Sequence, residues 1–407
     1  MALKKVEILR RTILFLAIVI SGGSLLFPRA PILFLIVVLC LHARGWRISF
    51  NKALAPILVL LAAIFLLTLL RPEGVDLQST AVRFANFLAG LLLLDLYVRD
   101  YPGALQDDLY VILKWMTVQA IGTVALAELV NAVFLPLTIA ETQYNTFLLL
   151  FNYHTMLEDS TALTRPDGFF YEPGVFQVYL NLFLYLALFV RRSRVHSTLA
   201  ILAVLLTQST TGVVICSMIV GVFIATEYVN RGTLLARIAK FTAGLLLIIP
   251  ILVVTSGNIV NKMSGDAQGS YWARQYDLLT GINVIAEHPL LGIGFDYEQY
   301  YRASSRLGYA ETQLPDRILQ DRGNTNGVVF LLYSLGIPLA LPFLVGMFRQ
   351  RFFRHRWLVG GLLFLTFFGE SMVFTPFFLM IIYSGLMLGK RVARTADAPQ
   401  GEPLATT

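Results

Sequence analysis

Long runs of apolar residues, separated by short polar stretches, recur along the whole chain. A bilayer core of about 30 Å requires about 20 apolar residues in a helix, and about twelve segments reach or approach this length. The predicted spans cover residues 12–27, 30–43, 53–70, 81–98, 109–135, 169–190, 198–207, 211–228, 241–256, 326–348, 358–374 and 376–389. The pattern therefore predicts an all-α, polytopic membrane protein that forms a single integral-membrane domain over residues 1–407.

The composition agrees with this pattern and excludes several other classes of protein. Hydrophobic residues make up 57% of the chain and charged residues only 14%, which is not the composition of a soluble, secreted or disordered protein. The net charge of +7 comes from scattered Lys and Arg, so we expect no nucleic-acid partner. The two cysteines, Cys40 and Cys216, lie in apolar runs and predict neither a disulfide framework nor a metal site.

The distribution of Lys and Arg predicts the orientation of the chain. Short cytoplasmic loops carry the excess of positive charge, and placing the N-terminus inside puts most of the Lys and Arg residues in such loops. Both termini are then cytoplasmic, and residues 395–407 form a disordered cytoplasmic tail. Two long segments fall outside, a first one over 136–168 and a main loop over 258–325. We therefore expect the function to lie on the outer face of the membrane.

Several arginines occupy this outer side, where orientation rules disfavour them. The outer arginines that require an explanation are Arg83, Arg165, Arg274, Arg302, Arg306, Arg317 and Arg322. Loop ion pairs are the simpler explanation for any one of them. Several together indicate an anionic ligand at the membrane surface, because a guanidinium group matches phosphate oxygens with two parallel hydrogen bonds. A lipid-linked pyrophosphate is the predicted ligand.

The first informative motif runs Arg-Pro-Asp-Gly-Phe-Phe-Tyr-Glu-Pro from Arg165 to Pro173. Pro is favoured in the first turn of a helix, so the helix is expected to begin at Pro173. Glu172 would then lie at or beside the N-cap, where its carboxylate could simply cap the helix. A second motif, the polar stretch 208–212, is better explained as a turn whose small residues let two helices pack closely.

The second outer segment contains a predicted amphipathic helix. Trp272, Tyr276, Leu279 and Ile282 recur at helical spacing and form an apolar stripe suited to the membrane interface. Arg274 points away from this stripe. The glycines that follow at 292 and 294 predict a turn, and they lack the strand and helix context of a dinucleotide-binding loop.

These motifs together resemble the O-antigen polymerase and ligase superfamily, the Wzy-type integral-membrane glycosyltransferases, over roughly residues 165–389. The matching positions are Arg165, Gly168, Phe170, Glu172 and Pro173 in the first motif, Arg274, Pro289, Leu290, Gly292 and Gly294 in the second, and Asn326 followed by Gly336. The resemblance implies a metal-independent enzyme without cofactors. It implies action at the periplasmic face of the bacterial inner membrane on undecaprenyl-diphosphate-linked oligosaccharide, with a chain-length regulator protein as a further candidate partner.

Two departures favour a polymerase over a ligase. By resemblance, ligases that transfer finished O-antigen to lipid A core carry a His before the Asn that precedes the apolar run, and that His is thought to act as a base. Thr325 occupies this position, ahead of Asn326. Ligases also carry an Arg after the Ser of the polar turn, whereas Ser209 is followed by Thr210. The preferred function is polymerisation of lipid-linked repeats.

The predicted site follows from the chemistry of glycan transfer. Arg274 is the first candidate to stabilise the charge of the leaving diphosphate, then Arg165, with Arg83 and Arg322 in support. Asn326 and Thr325 complete the predicted substrate-binding set.

Deprotonation of the acceptor hydroxyl requires a base within hydrogen-bonding reach, and Glu172 is the first candidate. Glu370, near the outer end of the eleventh span, is the second. His154 and His288 lie on the outer side without a ligand partner at suitable spacing, so no metal site is expected, and His288 is a reserve base.

A different class of protein fits the same pattern, namely a flippase or transporter for lipid-linked oligosaccharide. Against it, the chain shows no repeated halves and few ionisable residues at mid-depth of the predicted bilayer. A transporter would line a path to both faces with charge, whereas a polymerase would keep one closed side and an outer cavity.

Overall fold

A computed structural model of the chain describes residues 2–46, 52–70, 77–139, 142–154, 164–229, 233, 268–295, 299–302 and 324–389. This part of the chain is mostly helical. Its α-helices are α1 (Ala2–Gly22), α2 (Arg29–Ala43), α3 (Ala55–Leu69), α4 (Leu77–Asp95), α5 (Ala104–Leu129), α6 (Pro173–Tyr185), α7 (Arg194–Leu206), α8 (Thr210–Phe223), α9 (Gln268–Glu287), α10 (Gly327–Leu335), α11 (Ile337–Arg349), α12 (Arg356–Gly369) and α13 (Pro376–Leu386).

The helices fall where the apolar runs predicted them, but fewer have the length of a membrane span. Among the described residues, four helical stretches are long and apolar enough to cross a membrane: Lys52–Leu69, Gln78–Arg99, Ala104–Leu129 and Pro173–Val190. Helices α2, α7, α8, α11, α12 and α13 are apolar but shorter. The count of twelve spans is thus not reproduced, and the predicted span 241–256 lies outside the described residues. The class of helical membrane protein is retained.

The all-α prediction is wrong in one region, because a small antiparallel sheet occupies the predicted first outer segment. Strands β1 (Leu135–Ile139), β2 (Thr142–Phe147), β3 (Phe151–His154) and β4 (Arg165–Pro166) pair in chain order. The aromatic residues Phe134 and Tyr153 pack with Ala127 at the end of α5 and form a separate small core. Strand pairing provides the backbone hydrogen bonds of this aromatic-rich segment, while its rings pack on the end of α5.

The predicted tenth span is broken at Gly336, which separates α10 from α11. Gly336 adopts φ 73° and ψ 161°, a region essentially restricted to glycine. The segment 289–294 fills the break: the Ile293 and Gly294 N–H groups donate to the carbonyls of Tyr333 and Ser334 at 2.7 and 3.0 Å. The two glycines of the second motif therefore permit a close approach of the two backbones. Through it, this segment donates hydrogen bonds to carbonyl groups at the end of α10.

The ends of the bundle carry different sets of polar residues. At the end where α1 begins, Arg10 and Tyr97 both bind Asp108, which is fully buried. Arg44 pairs with buried Asp95 at 2.5 Å. At the other end α1 finishes, and α6, α8, α10 and α13 begin. We call this second end the motif end, because it carries the Arg165 to Pro173 motif.

Candidate functional site

The motif loop between β4 and α6 is held against the small sheet by hydrogen bonds to its backbone. Asn152 accepts from the Asp167 N–H through its carbonyl at 2.9 Å and donates from its side chain to the Gly168 carbonyl at 2.7 Å. The Tyr144 hydroxyl donates to the Tyr171 carbonyl at 3.1 Å. The sheet that the sequence did not predict is thus the support of the motif loop.

Glu172 is the N-cap residue of α6, and the helix begins at Pro173 as the motif predicts. The Glu172 backbone is extended, and its carbonyl accepts from the N–H groups of Val175 and Phe176. Its carboxylate makes no capping hydrogen bond. The side chain is exposed. The simple capping role is therefore not used, and the carboxylate is available for other contacts.

Glu370 brings a second carboxylate to the same place. It follows the last residue of α12 and lies outside that helix, whereas the apolar pattern predicted a span that continues to residue 374. A Cβ atom placed on Gly174 would lie 3.0 Å from Glu370 Oε1 and 3.8 Å from Glu172 Oε2. Burial, and next the negative charge of Glu172, raise the pKa of Glu370 to about 8. One proton is thus held at this carboxylate pair at neutral pH.

Arg274 lies near Glu370. Its Nη2 atom is 4.0 Å from Glu370 Oε1, and the side chain of Arg274 is 48% exposed against 15% for Glu370. The positive charge of Arg274 opposes the rise in the pKa of Glu370. A separation of 4.0 Å is too long for a direct hydrogen bond. The half-exposed guanidinium group of Arg274 therefore has the geometry to contact a ligand beside the carboxylates.

Helix α9 carries Arg274 and is fixed to the start of α10 through Asp277. The buried Asp277 carboxylate accepts from the Thr325 N–H at 2.9 Å and from the Thr325 hydroxyl at 2.5 Å. The Asn324 amide donates to the Asp277 carbonyl at 2.8 Å. The buried face of α9 therefore includes Asp277, whereas Ile282 of the predicted apolar stripe is exposed. The side chain of Trp272 lies outside the described residues.

Asn326 is the N-cap residue of α10. Its side-chain oxygen accepts from the N–H groups of Val328 and Val329 at 3.1 and 3.0 Å, which caps α10. A Cβ atom on the next residue, Gly327, would lie 2.6 Å from the Glu370 carbonyl. The cap therefore places the start of α10 directly against Glu370.

Arg165 interacts electrostatically with Glu172. It is 9% exposed, and its Nε donates to the Thr207 carbonyl at 3.2 Å. Burial lowers the pKa of Arg165, and the charges of Asp167 and Glu172 oppose this change. Arg165 and Arg274 thus flank one pair of carboxylates, Glu172 and Glu370. We call these four residues the cluster.

Asp167 and His154 form a hydrogen-bonded pair that was not predicted from the sequence. Nδ1 of His154 lies 2.9 Å from Oδ1 of Asp167, which is fully buried. Burial raises the pKa of Asp167 to about 6, although the hydrogen bond and charge of His154 act in the opposite direction. His154 lies directly opposite Arg165 in the β3–β4 ladder. No sequence spacing reveals this pair, because it depends on the register of an unpredicted sheet.

The other predicted site residues lie elsewhere. Arg83 stacks over the ring of Phe330 at 4.9 Å and lines a different cavity, whose lining does not include Glu172, Arg274 or Glu370. Arg322 lies outside the described residues. Within the described part of the chain, no group of three or more His, Cys, Asp or Glu side chains could hold a metal ion.

The polar turn at 207–212 packs as predicted. The Ser209 hydroxyl caps α8 by accepting from the Gly212 N–H at 3.3 Å, and the Asn181 amide donates to the Gly212 carbonyl at 3.0 Å. A Cβ atom on Gly212 would lie 2.9 Å from Gln177. The small residue permits close approach of α6 and α8, and the Thr207 carbonyl at the start of the turn receives Arg165.

The fold and the cluster define a helical membrane protein with paired carboxylates and arginines at one end of its bundle. Residues 196–344, little more than a third of the chain, match the family model of the O-antigen ligase. This match confirms the resemblance to the O-antigen ligase and Wzy superfamily, and it supports a membrane glycosyltransferase of the ligase or polymerase type. The matched part includes Arg274 and Thr325 and ends before Glu370. No curated protein and no solved structure matches the chain significantly.

Proposed function

We propose that the protein is a polysaccharide polymerase that uses polyprenyl-diphosphate-linked glycan as donor. It transfers the growing glycan to the non-reducing end of another lipid-linked repeat, in O-antigen or exopolysaccharide synthesis. The observation that carries the proposal is the cluster, in which two arginines flank two carboxylates that come from separate segments. The match to the O-antigen ligase family supports the class of reaction.

In the proposed reaction, the acceptor hydroxyl oxygen attacks the anomeric carbon of the donor. The bond from that carbon to the diphosphate oxygen breaks, and negative charge builds on the departing lipid diphosphate. Arg274 and Arg165 stabilise this charge, because fixed cationic donors form strong charge-assisted hydrogen bonds with developing negative charge. No metal or nucleotide sugar takes part in the proposed step.

Glu172 is the proposed proton acceptor for the attacking hydroxyl group, because it is exposed and makes no capping bond. Glu370 has its pKa raised to about 8, so it holds a proton at neutral pH. In this form Glu370 can donate a hydrogen bond to a sugar or phosphate oxygen. The two carboxylates therefore take different roles because their surroundings differ.

A groove between α1 and α5 suits the lipid part of such a donor, and it runs from Arg11, which pairs with Asp108, to Phe169 in the motif loop. Helices α1 and α5 enclose an apolar groove of about 530 Å³, lined by Phe15, Trp115, Met116 and others. Phe169, from the motif loop, lines it as well. We place a prenyl chain along this groove, with its diphosphate end at Phe169 of the motif loop.

Two observations favour a polymerase over a ligase. Thr325, in the position where ligases carry the His, is engaged with buried Asp277, so neither residue takes the place of that base. Thr210 stands in the first turn of α8, in the place of the ligase Arg. A ligase that transfers glycan to lipid A core is the second candidate function, because the matching family is the O-antigen ligase.

A lipid-linked oligosaccharide flippase is less favoured. The carboxylates at the opposite end, Asp95 and Asp108, are buried in ion pairs with arginines and do not line an open path. The residues of α6 between the two ends are almost all buried. This arrangement agrees with one closed side and an outward-facing site.

The proposed setting is the bacterial inner membrane, with both termini cytoplasmic and the motif end in the periplasm. Residues assigned to the cytoplasm by their charge, such as Arg10 and Arg44, meet at the opposite end of the bundle. A chain-length regulator protein is a proposed partner.

The experiment that tests this function is the analysis of lipid-linked glycan in cells that lack the protein. A polymerase predicts that single repeats accumulate on undecaprenyl diphosphate on the periplasmic side. Accumulation of long polymer on the same carrier would establish a ligase instead. Single repeats that remain on the cytoplasmic side would establish a flippase.

A further inference from the structure

Three consecutive leucines form the turn between β2 and β3. Leu148, Leu149 and Leu150 are 68%, 54% and 47% exposed, and residues 142–154 contain no Asp, Glu, Lys or Arg. Turns at a surface in water are dominated by Gly, Pro, Asn, Asp and Ser. We call the segment 147–151 the leucine tip. Its composition suits contact with hydrocarbon better than contact with water.

The backbone of the leucine tip makes its leucines more unusual still. Leu148 and Leu149 adopt φ 54° and 58°, which is the left-handed region that bulky side chains rarely enter. In water, a turn of this shape favours Gly or Asn at both positions. The backbone conformation therefore does not explain the leucine side chains.

Strand β3 runs beside α5 and holds the leucine tip far from the end of that helix. A Cβ atom on Gly122 would lie 3.3 Å from the Phe151 ring, and the Gln119 side-chain amide donates to the Leu150 carbonyl. Leu129 is the last residue of α5. Gln119 precedes it by ten residues, which correspond to about 15 Å along the helix axis.

This position corresponds to the depth of the lipid chains, because α5 has the length and composition of a membrane span. Its 26 residues measure about 39 Å, whereas the hydrocarbon core of a bilayer measures about 30 Å. Even if the whole difference of about 9 Å projected from the membrane at the Leu129 end, Gln119 would lie about 6 Å inside the hydrocarbon. Leu150, which is bonded to Gln119, lies at the same depth.

Backbone groups that enter hydrocarbon require hydrogen-bond partners within the protein. The leucine tip meets this requirement at three of its carbonyl groups. The Leu150 N–H donates to the Phe147 carbonyl at 3.2 Å, and the Asn152 amide donates to the Leu149 carbonyl at 3.5 Å. The Gln119 amide binds the Leu150 carbonyl, and this bond also explains why an apolar span contains a glutamine.

The other end of the β1–β2 hairpin has the opposite character. Thr142 and Gln143 of β2 are polar and exposed, and Gln143 pairs with Thr138 of β1, which is exposed as well. Four residues of strand, about 13 Å, separate Gln143 from the start of the leucine tip. A polar end and an apolar end at this separation are expected of an element that crosses the membrane interface.

We propose that the leucine tip is inserted into the leaflet at the motif end, where Leu148 and Leu149 contact the acyl chains of membrane lipids. The exposed surface of the tip continues that of the span, since Val118, next to Gln119, is 48% exposed. Leu150 also lines the groove between α1 and α5, so the inserted tip forms part of the wall of that groove. This membrane contact is independent of the glycan reaction that the protein catalyses.

Spin labels on the full-length protein in phosphatidylcholine vesicles measure this contact directly. Leu148→Cys and Leu149→Cys are labelled with a nitroxide. Collisions of the label with oxygen, which concentrates in lipid, are then compared with collisions with a water-soluble nickel complex. Val59→Cys, at a 70% exposed position of α3, is the lipid-facing control, and Gln143→Cys is the water-facing control. The wild-type protein gives the background, because both native cysteines are buried.

Both leucine positions are expected to match the Val59 control, with frequent collisions with oxygen and few with the nickel complex. Nickel collisions at the level of the Gln143 control would place the leucine tip in water and overturn the proposal. A label shielded from both reagents would overturn it as well, because protein, such as a second copy of the chain, would then cover the tip.

A second measurement uses the left-handed backbone and requires no label. The double variant Leu148→Asn/Leu149→Asn introduces a residue that this backbone favours, so it would raise the Tm if the tip lay in water. In hydrocarbon the two amides lose their hydrogen bonds to water, and the Tm in vesicles is expected to fall by about 2 °C or more. Thr138→Asn, at the polar end of the hairpin, is the control with little expected change. An unchanged or raised Tm of the double variant would contradict insertion of the tip.

Discussion

The carboxylates of Glu172 and Glu370 lie within 4 Å of one point above Gly174, although the two residues come from distant segments of the chain. Two carboxylates in such proximity do not ionise independently, and the more buried one retains its proton to a higher pH. The pKa of Glu370 is accordingly raised to about 8, with burial as the largest cause. This difference between the two side chains assigns them different roles.

The first prediction separates these roles by pH. Glu172→Gln should lower the rate of transfer at pH 7 by a factor of about 10²–10⁴, the usual contribution of a general base. Glu370→Gln should keep most of the activity at pH 7, because the amide resembles the protonated acid. The wild-type rate should fall above pH 8 as Glu370 ionises, and Glu370→Gln should lack this fall.

Rates measured between pH 6 and 9.5 check this prediction, with Glu287→Gln, an exposed glutamate on α9, as control. The stability of the protein should follow the same group. The pKa of Glu370 is raised from 4.5 to about 8 in the folded state, so stability is highest below pH 4.5, declines as the pH rises from there, and the loss is complete above about pH 8. A Glu370→Gln variant that loses activity equally at every pH would contradict the assignment.

The second prediction concerns the buried pair of His154 and Asp167. His154→Ala removes the hydrogen-bonding partner of a fully buried carboxylate, which costs about 1–3 kcal/mol when that carboxylate is ionised. Because the pKa of Asp167 is about 6, the carboxylate is mostly neutral at pH 5 and mostly ionised at pH 8. The difference in Tm between wild type and His154→Ala should therefore widen from pH 5 to pH 8.

Thermal unfolding in detergent at both pH values measures this difference. The control is His288→Ala, because His288 is exposed. The variant His154→Asn keeps an amide donor at the position of Nδ1 and should recover part of the lost stability. A Tm difference that stays constant with pH would show that Asp167 does not need His154.

The third prediction tests the break between α10 and α11. Gly336→Ala places a Cβ atom 2.3 Å from the Leu290 carbonyl and forces an unfavourable backbone region that alone costs about 1–3 kcal/mol. The variant should unfold at a clearly lower temperature or fail to accumulate. Gly361→Ala is the matched control, since a Cβ atom there meets only Met218 at 4.0 Å. Equal stability of the two variants would contradict the described packing.

The fourth prediction tests the anchor of α9. Thr325→Val removes the hydroxyl donor to Asp277 and keeps the side-chain shape, so it should lower stability by about 1–3 kcal/mol. Thr325→Ser keeps the donor and should behave almost as the wild type. Because Asp277 lies on the helix that carries Arg274, the Val variant should also raise the KM for the donor. Thermal unfolding and steady-state kinetics check both effects.

Hydrophobic pattern alone was sufficient to place most of the helices, because apolar runs in a membrane protein map directly onto helical segments. The Pro in the first turn also gave the start of α6 at Pro173. The small sheet was missed because its strands are short and because apolar and polar residues mix in this outer segment without the length of a membrane span. The break at Gly336 was missed because the apolar run continues through it.

The candidate site was predictable only in its parts. The motif singled out Arg165 and Glu172, and the outer location singled out Arg274 and Glu370. Their meeting depends on Gly174 at the start of α6 and Gly327 at the start of α10 both lying against Glu370, which no spacing in the sequence encodes. The buried Asp167 could not be paired with His154 without the strand register. Arg83 could not be separated from the cluster without knowledge of the cavity that it lines.

The most direct measurement of the central claim is elongation of purified lipid-linked repeat by the wild-type protein and by Arg274→Ala in the same vesicles. The wild type should produce a ladder of lipid-linked oligomers. Arg274→Ala should produce single repeats alone. It should retain the wild-type Tm, because the half-exposed guanidinium group lies 4.0 Å from the Glu370 carboxylate, beyond direct hydrogen-bonding distance. A full ladder made by stably folded Arg274→Ala would contradict the account.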